Sequence, residues 1–284
     1  MAAKPKARRP QLTNAARPAT FEVEAYNERG EMVPTSIAGE HPLTLYLDKR
    51  ELVTLMTLGH APEALAIGFL RNQRLVAGIE DIQAVQVDWE TESVAVTTTN
   101  RKKAGIEKKT RKRTVTTGCG QGTVFGDLME EIDQVKLRDD LALGDAELFV
   151  LIEKVRRHET IYKQAGAVHG CALATRAGEI LMFVEDVGRH NAVDAIAGFM
   201  WLDAIDGADK VFYTTGRLTS EMVIKCAQMR IPFLVSRSGL TKMGHQIAER
   251  VGLTMIGRAS GRHYLAFTGK HRLRRTAPQS TAVV

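Results

Sequence analysis

The sequence predicts an α/β protein with a smaller β-rich N-terminal subdomain. Two patterns carry the prediction. In the first hundred residues, stretches of apolar–polar alternation surround one helix, and from about residue 145 strands and helices take turns down the chain. The bulk composition agrees. The 284 residues are 44% hydrophobic and 25% charged, as in an ordinary globular protein, and no run of 18 apolar residues suggests a membrane span.

TFEVEAYN (20–27) and PLTLYLD (42–48) alternate with a period of two and are predicted strands. HAPEALAIGFLRNQRLVAGI (60–79) carries Pro62 near its start and apolar residues at helical spacing, so it is predicted as a helix. IQAVQVDWE and ESVAVTTT form a predicted hairpin. A helix follows over about 145–163, with Leu148, Phe149, Ile152 and Val155 on one face, and leads into strands AVHGCALAT and EILMFVED. Then come helix 190–205, strand KVFYTT, helix 219–230, strand PFLVS, helix 241–251 closed by Gly252, and strands LTMIG and HYLAFT. This alternation predicts a largely parallel sheet. The expected organisation is a disordered basic arm over 1–18, a β-rich subdomain over 19–140, an α/β domain over 141–270 and a flexible tail over 271–284.

The N-terminus is basic and polar without an apolar core, unlike a secretory signal. Three scattered cysteines, Cys119, Cys171 and Cys226, make no disulfide framework, which fits a reducing cytoplasm. The net charge of +6 points to anionic partners. Much of that charge lies in RKKAGIEKKTRKRT (101–114), where eight of fourteen residues are Lys or Arg. The segment is either a solvated loop or an electrostatic collar for a polyanion. It contains no aromatic residue to stack on bases, so nucleic acid is not the expected partner.

Ligands of open α/β sheets sit beyond the carboxyl ends of strands, where loops feed helix N-termini. Three such junctions are rich in Gly, Arg, and Ser, Thr or Asn: EDVGRHNAVD (185–194), TTGRLTSE (214–221) and SRSGLT (236–241). Ser and Thr at such positions are commonly plain helix caps. Three in succession point further, to an anion or nucleotide pocket that uses backbone N–H groups and guanidinium. The candidate contacts are Gly216, Arg217, Ser220, Ser236, Arg237 and Ser238. His169 shares a strand face with Cys171, and Cys226 falls on an apolar helix stripe with Met222, Val223 and Met229, so both thiols are expected in the core. Cys119 differs. It lies between Gly118 and Gly120, just after the basic run, where positive charge favours thiolate. On residue chemistry alone it is a nucleophile or an ordinary cysteine in a glycine turn. With no CxxC in the chain, neither an intrachain redox pair nor a cysteine-rich zinc site is expected.

The strings PEALAIGFL (62–70), TTGCG (116–120), VHG, EDVGRHNAVD, TGRLTSEMVIK (215–225), SRSGLT and GLTMIGRASGR (252–262) resemble the formate dehydrogenase accessory sulfurtransferase family, from about residue 20 to 268. The resemblance implies a cytoplasmic homodimer whose C-terminal half has a cytidine-deaminase-like three-layer fold. It also implies a persulfide relay. Sulfur would pass from a cysteine desulfurase to the cysteine matching Cys119, and on to the molybdenum bis-guanine-dinucleotide cofactor that serves formate dehydrogenase. The family's cofactor-binding segment matches Arg258, Ala259, Ser260, Gly261, Arg262 and His263. The alternative is a non-catalytic chaperone that binds the same cofactor and escorts it to the apo-enzyme.

The sequence departs from the family pattern in three places. Gly122 stands where a second cysteine is common, Leu240 replaces a usual proline, and Arg258 replaces an aromatic. One attacking thiolate suffices for thiol exchange, so a single-cysteine relay is still expected. The H-x-E and P-C-x-x-C signature of zinc deaminases is missing, so no zinc is expected.

Overall fold

The computed structural model describes residues 9–99, 132, 134–158 and 160–275. Cys119 and the basic run 101–113 therefore lie outside the described residues. The chain forms a mixed α/β protein of two compact units, one comprising Met1–Ile132, Glu159–Cys171 and Phe183–Asp206, the other Asp133–His158, Ala172–Met182 and Gly207–Val284.

The first unit is built on a five-stranded sheet in the order β1 (Gln11–Leu12), β6 (Ile82–Asp88), β7 (Ser93–Thr98), β4 (His41–Leu47), β5 (Arg50–Thr57). The β6–β7 and β4–β5 pairs are antiparallel, and β1–β6 and β4–β7 are parallel. Alternation puts Leu43, Leu45 and Leu47 of β4 and Val94 and Val96 of β7 into the core, all essentially without exposure. Each such side chain contributes about 1.5–3 kcal/mol on burial. Helix α1 (Pro62–Asn72) packs on β6 and β7, and ten of its eleven residues are buried because α4 (Arg189–Leu202) crosses its other face. A separate ribbon of β2 (Thr20–Tyr26) and β3 (Met32–Ala38) pairs antiparallel and joins no other sheet among the described residues.

The predicted helix 60–79 ends early, at Asn72. Arg74 takes the left-handed conformation (φ +53°), Leu75 N–H donates to Leu70 O at 2.9 Å, and Arg74 N–H donates to Arg71 O at 2.9 Å. That is a Schellman stop made without the usual glycine. The predicted helix 145–163 is two helices, α2 (Asp145–His158) and α3 (Ile161–Ala165). Residues 9–18, expected as part of a disordered arm, are held along the first unit. Arg17 N–H donates to Gly59 O, its guanidinium lies 4.8 Å from the Trp89 ring centroid, and Ala15 N–H donates to Glu63.

The second unit carries the sheet β10 (Ile180–Asp186), β9 (His169–Thr175), β11 (Lys210–Thr214), β12 (Phe233–Ser236), β13 (Thr254–Ser260), β14 (His263–Ala266); β9 and β10 enter this unit with 172–175 and 180–182. β11, β12 and β13 run parallel and β14 returns antiparallel. The parallel strands are buried apolar runs, with Val211, Phe212, Phe233, Leu234, Val235, Met255 and Ile256 fully enclosed, as expected for a sheet covered by its crossover helices. These helices are α5 (Ser220–Gln228) and α6 (Lys242–Val251), the latter closed by Gly252 at φ +69°. Two further residues of β8 (Leu143–Gly144) pair parallel with β15 (Leu273–Arg274).

Candidate functional site

The loops after β11, β12 and β13 leave the carboxyl ends of three adjacent parallel strands, where open α/β sheets bind ligands. Hydrogen bonds bind them into one edge. Buried Ser236 donates from Oγ to Gly216 O at 2.7 Å and accepts from Ser238 N–H at 2.9 Å. Gly216 N–H donates to Thr214 Oγ1 at 3.1 Å. Leu218 N–H reaches Gly239 O at 3.0 Å, Thr241 N–H reaches Leu218 O at 3.1 Å, and Leu218 and Leu240 form a parallel bridge. Arg258 N–H donates to Ser238 O at 2.9 Å, which ties the third loop to the second.

Of the predicted contacts, Gly216, Arg217, Ser220, Ser236, Arg237, Ser238 and Arg258 are thus on connected backbone. Arg217, Arg237, Arg258 and Arg262 are all exposed. Arg258 sits at φ +52° in the irregular stretch between Gly257 and Ser260, and Gly261 at φ +56° makes the turn into β14, where Ser260 pairs with His263. Ala259 is buried and points away from solvent, so from that residue only main-chain atoms are available to a ligand. The two helix starts differ. Thr241 caps α6 by accepting from Gly244 N–H at 3.2 Å, whereas Thr219, at the N-cap of α5, makes no side-chain cap and its buried Oγ1 has no hydrogen-bond partner. Thr219 thus does not cap the first turn of α5, which begins just after the exposed Arg217.

Comparisons with known proteins identify the family. The FdhD/NarQ family model matches residues 38–274. The chain belongs to the FdhD/NarQ family. A relative named sulfur carrier protein FdhD from Listeria monocytogenes is 31% identical over 255 residues, covering 89% of this chain and 95% of its own length. One of the same name from Wolinella succinogenes is 30% identical over 234 residues, covering 82% and 81%. The solved structure of a formate dehydrogenase accessory protein from Desulfotalea psychrophila superposes with a TM-score of 0.72 at 26% identity, over 90% of this chain and all of that one. The family match takes in all three loops and Cys119, and it begins at the last residue of β3.

The fourth junction of this FdhD/NarQ member, EDVGRHNAVD, lies in the first unit and is organised around two adjacent buried carboxylates. Asp186 Oδ2 accepts from Thr57 Oγ1 at 2.6 Å and Leu58 N–H at 3.2 Å, and its Oδ1 accepts from Gly188 N–H at 3.1 Å and Asn191 Nδ2 at 2.9 Å. Burial pushes the Asp186 carboxyl up from its ordinary value despite these donors. Glu185 accepts from Thr160 N–H, Thr160 Oγ1 and Ile161 N–H, each at 3.0 Å, and from Tyr162 N–H at 2.9 Å. Burial likewise lowers the His60 imidazole, against the pull of Asp186 and Glu185. Sequence reasoning took Glu185 and Asp186 only as the start of a polar loop, although two acids closing an apolar strand are a visible signal of a buried hub. Cys171 and Cys226 are buried as expected, with Cys171 Sγ 4.0 Å from Arg189 O. Among the described residues, no group of three or more His, Cys, Asp or Glu side chains is placed to hold a metal, and no helix is long and apolar enough to cross a membrane.

Proposed function

We propose that this chain is a cytoplasmic sulfur carrier that loads Cys119 as a persulfide and delivers the sulfur to the molybdenum bis-guanine-dinucleotide cofactor used by formate dehydrogenase. The observation that carries the reading is family membership over 38–274, with relatives named sulfur carrier protein FdhD along nearly their whole length. In the loading step the Cys119 thiolate attacks the outer sulfur of a desulfurase persulfide. A new S–S bond forms at Cys119, the old one breaks, and the desulfurase cysteine leaves as thiolate. The three-loop edge suits the cargo. Arg217, Arg237, Arg258 and Arg262 supply charge for guanine-dinucleotide phosphates, the positive dipole end of α5 adds to it, and Ser236 holds the loops in register. The cytidine-deaminase-like layering of the C-terminal half and a homodimeric state belong to the same proposal, as do docking to a cysteine desulfurase and to apo-formate dehydrogenase.

Mass spectrometry after incubation with desulfurase and cysteine tests the relay: one sulfur, on Cys119, is the expected result. Absence of that sulfur, or full formate dehydrogenase activity with Cys119→Ser, overturns it. The chaperone reading predicts the opposite pair of outcomes, in which Cys119→Ser keeps activity while Arg217→Ala and Arg262→Ala lose both activity and guanosine diphosphate binding.

A further inference from the structure

We infer that Arg258 makes the three-loop edge selective for a pyrophosphate over a single phosphate, its guanidinium held there by a strained bulge in β13. The inference rests on the dinucleotide reading above and names the part of the cargo that this residue reads.

The register of β13 against β14 contains one extra residue. Gly257 stands opposite Leu265 and Ser260 opposite His263, so Arg258 and Ala259 together face Tyr264 alone. Two residues against one make a β-bulge, and Arg258 takes its first position in the left-handed conformation, at φ +52°. Glycine is the usual residue in such a bulge, because a Cβ on left-handed backbone crowds the following carbonyl. Among the described residues nine non-glycine residues have positive φ, and Arg258 is the one inside a strand. The others lie in turns, in loops or just past helix ends, as Lys49 does between β4 and β5 and Arg74 does after α1.

The strain serves no contact of the side chain within the protein. Arg258 is exposed, and its guanidinium makes no hydrogen bond or ion pair among the described residues. What is fastened is the main chain. Arg258 N–H donates to Ser238 O at 2.9 Å, beyond the last β12–β13 pair of Val235 with Ile256. Bulges beside ligand sites commonly re-aim a side chain. Backbone held in an unfavourable conformation with no internal gain points to a contact outside the protein.

The neighbouring loop identifies the ligand group. Ser238 follows Arg237 in the chain, so a single hydrogen bond joins the backbone behind two exposed arginines at adjacent strand ends. The stretches 236–241 and 257–263 contain no acidic residue to neutralise them. Each guanidinium presents a planar fork of donors that fits phosphate oxygens two at a time. A single phosphate fills one fork. A pyrophosphate carries two phosphate groups one bridging oxygen apart and engages both Arg237 and Arg258.

Isothermal titration calorimetry on the full chain, with guanosine diphosphate and guanosine monophosphate as probes, tests this. Wild type should bind the diphosphate more tightly. Arg258→Gly and Arg258→Ala should each weaken the diphosphate by about 10–100-fold, the loss of charged hydrogen bonds, and the monophosphate by less than about threefold. The two variants should part in stability. Glycine relieves the strain and alanine keeps it, so Arg258→Gly should melt level with wild type or up to about 3 °C higher, and above Arg258→Ala. A wild type that binds both nucleotides equally, an unchanged diphosphate affinity in both variants, or an equal loss for both nucleotides overturns the inference. An Arg258→Gly protein that melts below Arg258→Ala overturns the strained bulge on which it stands. A wild type that binds neither nucleotide removes the dinucleotide reading itself, and this selectivity with it.

Discussion

Replacing Gly68 by alanine puts one methyl group at the crossing of α1 and α4. An added Cβ would lie 1.6 Å from Asp194 O, and its counterpart at Gly198 would lie 1.9 Å from Ala64 O. Both obstacles are backbone, which cannot rotate aside. Ordinary contact begins at 3.4 Å, so the helices would have to part by 3.4 − 1.6 = 1.8 Å for Gly68 and 3.4 − 1.9 = 1.5 Å for Gly198. Overpacking of this kind costs about 1–3 kcal/mol. The separation also strains two bonds that depend on the crossing, Asn72 Nδ2 to Asp194 Oδ1 at 2.7 Å and Arg71 Nη1 to Ala197 O at 2.8 Å, at about 1 kcal/mol each. Against this, alanine is better than glycine in a helix by about 1 kcal/mol. The net is a destabilisation of about 2–4 kcal/mol, which at about 2–4 °C per kcal/mol lowers the melting temperature by roughly 10 °C. Thermal and urea unfolding of Gly68→Ala, Gly198→Ala and the double variant provide the measurement. The double should cost less than the sum, because the first alanine already parts the helices. A melting temperature that holds or rises, as helix propensity alone would give, refutes the close crossing.

Two further outcomes follow from the hydrogen-bond geometry. Ser236→Ala strands Gly216 O and Ser238 N–H and should cost about 1–3 kcal/mol in urea unfolding while weakening guanosine diphosphate binding; unchanged affinity would show that the loops hold their register without that hydroxyl. Asp186→Asn turns an amide donor toward N–H and O–H groups that now donate to a carboxylate, at about 2–4 kcal/mol. Because burial raises the folded-state value of Asp186 above its ordinary 3.8, the folded protein binds the extra proton, and this group's contribution to stability falls as pH rises from about 3.8 through the raised value. The stability gap between wild type and Asp186→Asn should therefore narrow as pH rises through that window, and a gap that widens in pH-dependent unfolding would contradict the direction of the shift.

The parallel core of the second unit was legible because buried strands write themselves as apolar runs: KVFYTT, PFLVS and LTMIG became β11, β12 and the start of β13. What stayed hidden was carried by hydrogen bonds between residues far apart in sequence. The break between α2 and α3 follows 25 residues ahead of its visible partner, where Glu185 collects the N–H groups of Thr160, Ile161 and Tyr162. The stop after Asn72 uses an arginine where the recognisable signal is glycine. The hold on residues 9–18 depends on Trp89 and Glu63, which no local pattern connects to a basic arm. At the candidate site, the Gly, Arg and Ser content of the loops was readable, but not the fastening of Ser236 to Gly216 across 20 residues.

The contrast between the two polar regions bears on where an anionic cargo belongs. EDVGRHNAVD and SRSGLT look alike as glycine- and arginine-bearing junctions, yet their chemistry is opposite. In the first, Glu185 and Asp186 are buried to within 4% of full enclosure, and the hydrogen bonds that converge there are donated to oxygen. Successive positions in β10 send the two carboxylates to opposite faces, so one fixes the start of α3 while the other joins the end of β5 to the start of α4. A phosphate placed there would meet acceptors already saturated and negative charge in a low dielectric, where repulsion is strongest. At the loops after β11, β12 and β13 the arginines are exposed, Ser236 knits backbone to backbone, and the positive dipole end of α5 opens at the same edge. Electrostatics therefore separates the two junctions that composition could not, one serving as an internal brace and the other presenting the exposed positive charge that the proposed dinucleotide cargo would require.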